Sequence, residues 1–261
     1  MRLREALGYR AMKIFANGCK VLCLVHLRLF PRARYTLPES LPARRPAPEG
    51  PIPRIIWQTN YSQKVPLQVY ACALFNRWLS PTCAYRYHSD EACDRFVAET
   101  YPGPVAEAYG RLRIGAARAD FWRILVLLKH GGLYLDIDSN LTRNPERFLG
   151  PQTEGVFIAM KNGEVTNYFL AAAPGHPVLQ AVCDQIVRNI AEGRHASVYD
   201  LTGPTVLDAA VKAAGIAPIS YKAACVQGQF VSKSGQYRDK PDGAWWAAQQ
   251  VTPIVAKDRS E

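Results

Sequence analysis

Hydrophobic positions recur along the chain in two alternating registers. Residues 52–57 (Ile-Pro-Arg-Ile-Ile-Trp) read as a strand, β-branched after a proline start. Residues 66–79 carry Leu67, Tyr70, Leu74 and Trp78 at helical spacing and stop before Pro81. Residues 84–87 alternate as a second strand. Ser89 is placed to cap a helix running to residue 99, with Asp90 and Glu91 in the first turn, where the helix dipole favours acids. The clearest helix covers 113–130. It holds the run Ile124-Leu125-Val126-Leu127-Leu128 and ends on Lys129-His130-Gly131-Gly132, a basic last turn followed by glycine. Residues 133–135 then form a short strand, 156–159 and 168–172 further strands, and 177–192 and 204–214 helices. This alternation predicts an α/β sandwich around a mostly parallel sheet, whose ligands gather at the carboxyl ends of the strands.

The most apolar stretch, residues 14–30, stands apart from that scheme. It is 17 residues long, the short limit for crossing a bilayer, and is interrupted by Lys20, His26 and Arg28. At roughly 100° per residue, Leu3, Leu7, Ala11, Ile14, Gly18, Leu22, Val25 and Leu29 share a face, with Arg2, Lys13 and Lys20 opposite. Pro31 closes the helix. A basic amphipathic helix of this kind suits the interface of an anionic membrane; the plainer alternative is a helix packed on the domain with its charge outward. Pro38, Pro42, Pro46, Pro48, Pro51 and Pro53 follow, a spacing that favours an extended linker. The expected organisation is therefore an amphipathic helix over 1–35 acting as a membrane-surface anchor, a Pro-rich linker over 36–51, and a catalytic domain over 52–261.

The net charge of +10 is unevenly spread. Residues 1–45 hold ten Lys/Arg against Glu5 and Glu39, so eight of the ten net charges lie there and the body is nearly neutral. That distribution argues against nucleic acid as a partner and for a peripheral position at the cytoplasmic, inner face of a membrane. Seven scattered cysteines form no zinc-ribbon or CxxC spacing and are expected as free thiols.

Asp136 and Asp138 carry the sharpest local chemistry. Two residues apart just past an apolar strand, they present two carboxylates on one side, a costly arrangement unless a cation lies between them. Hard oxygen ligands suit Mn²⁺ or Mg²⁺, which would stabilise charge building on a diphosphate leaving group. Asp120 and Arg123 are three apart on the preceding helix, beside the strongest apolar run, where solvated charges are out of place. If buried, both need partners, and sugar hydroxyls or phosphate oxygens would serve. Gly131 and Gly132 permit the sharp turn that carries both sets into one cleft.

The stretch Arg118-Ala119-Asp120-Phe121-Trp122-Arg123, followed by Lys129-His130-Gly131-Gly132-Leu133-Tyr134-Leu135-Asp136-Ile137-Asp138, resembles the core of the DXD-containing sugar-binding glycosyltransferases, family 32. That family includes α-mannosyltransferases and bacterial polysaccharide glycosyltransferases. Ile52-Pro53-Arg54-Ile55-Ile56-Trp57-Gln58-Thr59 is similar to the family's opening strand, and Asn167, Pro174–Pro177 and Thr202-Gly203-Pro204 to later landmarks. The resemblance implies a GT-A-type nucleotide-sugar-binding fold, a nucleotide-sugar donor, a divalent metal and retention of anomeric configuration. By position, Asp120 and Arg123 would hold the donor sugar, Asp136 would contact ribose and sugar or assist the metal, and Asp138 would ligate it. The strand around Trp57 would face the nucleotide base, the alternative for Trp57 being a core aromatic. The chain departs from the family where Trp57 replaces a histidine. Near the C-terminus a His followed by Gly-Ser-Trp is expected; Asp239 to Trp245 stands in its place, with Asp242 as the candidate third metal ligand.

The function expected is transfer of a sugar to a glycan or lipid-linked acceptor, in surface polysaccharide or glycolipid synthesis. A haloacid-dehalogenase-like Mg²⁺-dependent phosphatase also places Asp-x-Asp after a strand, but on its first strand. A non-catalytic membrane-associated binding protein explains the N-terminal helix and leaves Asp120, Arg123, Asp136 and Asp138 without a role.

Overall fold

The computed structural model describes residues 3–193, 197–240 and 243–256. A 27-residue helix α1 (Leu3–Leu29) precedes strands β1 (Tyr35–Thr36), β2 (Ser40–Leu41), β3 (Ile55–Thr59) and β4 (Lys64–Val65). Then come α2 (Leu67–Leu79), β5 (Ala84–His88), α3 (Asp90–Thr100), α4 (Pro104–Arg111), α5 (Gly115–His130), β6 (Gly132–Leu135) and β7 (Ser139–Leu141). After β8 (Gly155–Ala159) and β9 (Val165–Ala172) follow α6 (Pro177–Glu192), α7 (Val198–Leu201), α8 (Pro204–Ala213), β10 (Ile219–Ser220) and α9 (Tyr221–Ala224). The C-terminal part adds β11 (Cys225–Gln227), α10 (Lys233–Gln236) and α11 (Trp245–Val251).

The main sheet has seven strands in the order β10-β8-β9-β6-β3-β5-β2. Five run one way, with β3 parallel to both neighbours β5 and β6, while β9 and the edge strand β2 run against them. Strand alternation sorts the core into two layers. Trp57, Tyr134, Phe157 and Leu170 face α5, α6 and α8; Ile56, Leu133, Leu135 and Phe169 face the side covered by α1, α2 and α9. The result is the expected α/β sandwich with a mostly parallel sheet. Ser89 caps α3 by accepting from the Ala92 amide, as its position foretold.

The glycine pair after α5 fixes how the central helix enters the central strand. Gly131 and Gly132 both have positive φ (63° and 107°). A Cβ on Gly132 would lie 2.6 Å from the Ile55 carbonyl oxygen, and one on Gly131 2.7 Å from the Pro174 ring. Only glycine fits such an approach in that backbone region.

The structure adds two details to the expected N-terminal segment. Residues 36–51 do more than link. Ser40–Leu41 pairs antiparallel with β5 and closes one edge of the main sheet, and Leu37 is almost fully buried. Proline is compatible with an edge strand, whose outward N–H groups need no partner, so the Pro-rich composition did not exclude pairing. Among the α1 side chains the structure describes, the buried ones are Met12, Ala16, Cys23 and Leu27, whereas Leu7, Ala11, Ile14, Gly18, Leu22, Val25 and Leu29 of the expected stripe are exposed; the Leu3 side chain lies outside that description. The helix is apolar on more than one side, so periodicity alone could not choose the packed face. Lys20, on the inner side, donates to the Gly228 carbonyl (2.5 Å). Among the described residues no helix is long and apolar enough to cross a membrane.

Candidate active site

β6 delivers the acidic pair at its carboxyl end in the middle of the sheet. The Asp136 amide donates to the Tyr168 carbonyl (2.9 Å), continuing the ladder with β9, and the Ser139 amide donates to the Asp136 carbonyl (2.9 Å). Asp136 and Asp138 thus sit in a turn after the strand. That turn brings both carboxylates to one amide: Gln227 Nε2 lies 3.3 Å from Asp136 Oδ2 and 3.0 Å from Asp138 Oδ1. β11 sets the amide there by pairing antiparallel with β7, Gln227 opposite Ser139, and the Gly228 amide donates to the Asp138 carbonyl (3.1 Å).

α5 supplies the second half. Arg123 Nη2 is 2.9 Å from Asp136 Oδ1 and 3.0 Å from Asp120 Oδ1, and Nη1 donates to the Asn167 carbonyl at 2.7 Å. The Tyr134 hydroxyl donates to the same Asp136 oxygen (2.8 Å), and the Arg123 guanidinium lies over the Tyr134 ring. Asp120 accepts from Asn167 Nδ2 (3.0 Å) and from the Thr202 hydroxyl (3.4 Å). Asp120 and Arg123 are buried, at 8% and 4% exposure, and the partners the structure gives them are protein groups.

Burial sets the electrostatics. It pushes the Asp120 carboxyl up to about 7 against the pull of Arg123. Asp138 is also pushed up to about 7, by burial and then by the charge of Asp136. Asp136 is raised by burial too, with Arg123 and the Tyr134 hydrogen bond opposing. One arginine therefore serves two acids, and among the described residues a third buried acid, Asp138, has no cation of its own. This unmet need for positive charge is the structural argument that a divalent cation fits at Asp136 and Asp138.

A cleft of about 260 Å³ opens over the site, lined among others by Asp120, Arg123, Asp136, Gln227, Lys240 and Trp245. Asp138 does not line it; the Gln227 amide stands at the cleft wall beside Asp138. Among the described residues no three His, Cys, Asp or Glu side chains cluster as a metal site, and Asp242 lies outside the described residues. Asp239 is committed elsewhere, its two carboxylate oxygens accepting from Arg34 (2.6 and 2.5 Å). Trp57 requires a correction. It is buried, donates from Nε1 to the Gly131 carbonyl (2.8 Å) and stacks on His130, so it is a core aromatic locking the glycine turn. The cleft is instead reached by Thr59, the last residue of β3, and by Asn60 and Tyr61 just beyond it. Thr59 closed the stretch similar to the family's opening strand without being singled out, whereas Asn60, Tyr61 and Gln227 carried no motif; only the rule that ligands collect beyond strand ends pointed to Asn60 and Tyr61.

This sandwich, with an Asp-x-Asp turn at the end of its central strand and a buried Asp/Arg pair behind it, is a GT-A-type glycosyltransferase fold. Over 82% of the chain it is similar to a solved structure titled PaToxG Glycosyltransferase (TM-score 0.54, 17% identity, 80% of that chain covered), a likeness of fold. Residues 69–155 match the family described as glycosyltransferase sugar-binding region containing DXD motif. Inositol phosphoceramide mannosyltransferase 3 of Schizosaccharomyces pombe (strain 972 / ATCC 24843) is 31% identical over 139 residues, 53% of this chain and 37% of that protein. The initiation-specific alpha-1,6-mannosyltransferase of the same organism is 26% identical over 163 residues, 54% of this chain and 40% of that protein. The chain thus spans less than half the length of these curated relatives.

Proposed function

We propose that the protein transfers a hexose, with retention, from a nucleotide-sugar donor to a glycan or lipid-linked acceptor in surface polysaccharide or glycolipid synthesis. The observation that carries this reading is the shared Arg123: one guanidinium orients both Asp120 and Asp136 toward the same cleft. Asp120, held by Arg123, Asn167 and Thr202, is the acceptor for donor-sugar hydroxyls. Asp136, held by Arg123 and Tyr134, takes the ribose and the metal side. Thr59, Asn60 and Tyr61 border the end of the cleft we assign to the nucleotide.

Asp136 and Asp138 would hold Mn²⁺ or Mg²⁺, ions that accept a few protein oxygens and leave other positions to water and phosphate. Gln227 completes the set. Turned about its last torsion, its amide presents Oε1, in place of Nε2, to the point between the two carboxylates. Bound there, the ion would neutralise charge building on the departing diphosphate. Retention rests on the family resemblance, and the coupling constant of the product's anomeric proton tests it: a β-linkage from an α-linked donor overturns it.

The phosphatase alternative needs an aspartate free to attack phosphorus. Asp136 is instead bound by Arg123, Tyr134 and Gln227, and the motif follows the fourth strand of the main sheet in chain order. The binding-protein alternative gives no reason to hold two carboxylates on one buried arginine with a third buried beside them. The names of the two yeast relatives put mannose first among donors to screen and inositol-containing lipids among acceptors. We place the enzyme on the inner face of a membrane. The test is a screen of nucleotide sugars with Mn²⁺, reading nucleotide diphosphate release, beside a generic phosphomonoester. Release from no donor, or turnover of the phosphomonoester alone, rejects the proposal.

A further inference from the structure

α1 is docked on the body by one narrow face and leaves a second, wider apolar face uncovered. The inner face is Met12, Ala16, Cys23 and Leu27, secured by Lys20 on the Gly228 carbonyl and Asn17 on Gln229. Outward stand Ile14 at 75% exposure, Leu22 at 70% and Leu29 at 67%, with Leu7, Val21 and Val25 beside them. The apolar band does not stop at the helix. Half-exposed Phe15 packs on Phe75 (5.8 Å between ring centroids), Phe75 on Trp78 (6.0 Å), and Trp78 is 66% exposed with Leu74 next to it. A face this extended and continuous is a docking surface.

The charges around it define the occupant. Helical spacing puts Arg10 and Arg28 at one border of the outward face and Lys13 beyond them, all exposed. On the far side Arg44 donates to the Arg77 and Trp78 carbonyls, and Arg45 shares a surface hollow with Trp78. From residue 6 to residue 38 the sequence contains no acidic residue. Two copies of this chain meeting on this face by a two-fold axis would bring basic border against basic border. An anionic bilayer meets both requirements, since aliphatic and tryptophan side chains enter the headgroup boundary while the basic border meets lipid phosphates.

We propose that the outer face of α1, continued by Phe15, Leu74 and Trp78, rests in the surface of an anionic bilayer while the inner face of the same helix stays packed on the catalytic body. This deepens the membrane placement proposed above, and it fixes the pose. The helix, about 40 Å long, lies along the surface. Crossing would require tearing Met12, Ala16, Cys23 and Leu27 from the core. The packed face meets residues 228 and 229, immediately after the Gln227 amide, so an acceptor anchored in the same leaflet would reach the site from nearby.

The experiment is co-sedimentation of the full chain with vesicles of phosphatidylcholine alone and of phosphatidylcholine mixed with phosphatidylglycerol. Wild type should prefer the anionic vesicles and lose binding as salt rises. Leu22→Glu should weaken binding roughly tenfold or more, because it replaces buried apolar area with a charge of the wrong sign. Trp78→Ala should weaken it independently. Both variants should keep the wild-type melting temperature and the same rate of donor hydrolysis in solution. Equal binding by wild type and Leu22→Glu, or no binding by wild type, overturns the proposal. So does a wild-type dimer that Leu22→Glu converts to monomer without vesicle binding. Donor hydrolysis is read separately: its absence in wild type with vesicle binding intact would remove the proposed reaction and leave the membrane pose standing.

Discussion

Arg123 reaches Asp136 across the helix-to-strand turn at 2.9 Å, and the same nitrogen holds Asp120 at 3.0 Å. The two acids flank a single buried cation, so removing it does two kinds of harm. Arg123→Ala should abolish donor turnover and also lower stability by about 3–5 kcal/mol, the cost of leaving buried partners without a counter-charge. Asp120→Asn keeps the shape and much of the hydrogen bonding, so turnover should drop sharply with only a small stability change. Denaturant unfolding and nucleotide diphosphate release, measured on both variants, check this. An Arg123→Ala protein as stable as wild type contradicts the geometry.

Gln227 should be visible in metal binding without any turnover. Isothermal titration of Mn²⁺ into donor-free protein should show Gln227→Ala weakened about tenfold and Gln227→Glu tightened, because a carboxylate replaces a neutral oxygen ligand. Asp138→Asn should weaken binding further than Gln227→Ala. If all three bind Mn²⁺ as wild type does, the ion belongs elsewhere.

A pH dependence follows from the raised carboxyls. Asp138, pushed up to about 7, is protonated below that value in the metal-free protein and ionised above it. Cation and proton compete for it, so Mn²⁺ affinity should climb as pH rises through about 7 and level off above. The stability sign is opposite without metal. A carboxyl whose folded pKa exceeds its unfolded value contributes most stability below the unfolded value, and that contribution is lost as pH rises through the folded one. In EDTA, Asp138→Asn should therefore melt above wild type at about pH 8 and not at about pH 4. A melting difference that does not change with pH rules this out.

Gly132→Ala should cost about 1–3 kcal/mol from its backbone region alone, φ being +107°, with the 2.6 Å approach to the Ile55 carbonyl adding to it. The measurement is the thermal midpoint beside that of Gly163→Ala, whose φ is +86° with open space around it. The difference between the two isolates the contact from the φ penalty.

Sequence made the acidic centre readable because its signals are local. Asp136 and Asp138 follow a four-residue apolar strand, and Asp120 and Arg123 share a helix face beside a hydrophobic run. What was illegible depends on which way a side chain turns or on distant pairing. Trp57 and Ile56 are neighbours on one strand, yet only the assembled sheet shows that Trp57 points toward α5. Gln227 acquires its position from the pairing of β11 with β7, some ninety residues apart, and a lone glutamine has no pattern to announce it. In α1 two apolar stripes compete, and the one that packs is the less conspicuous.

The pairing of β2 with β5 has a practical side. Trimming the chain at residue 52 would strip Ser40–Leu41 from Tyr85 and Arg86 and remove Leu37 from the core. It would leave β5 as a bare outer strand with unpaired amides and carbonyls beside an unroofed apolar layer. Such a shortened protein would be prone to pair with its own copies through that strand. Loss of activity in it would then reflect aggregation before it reflected loss of α1.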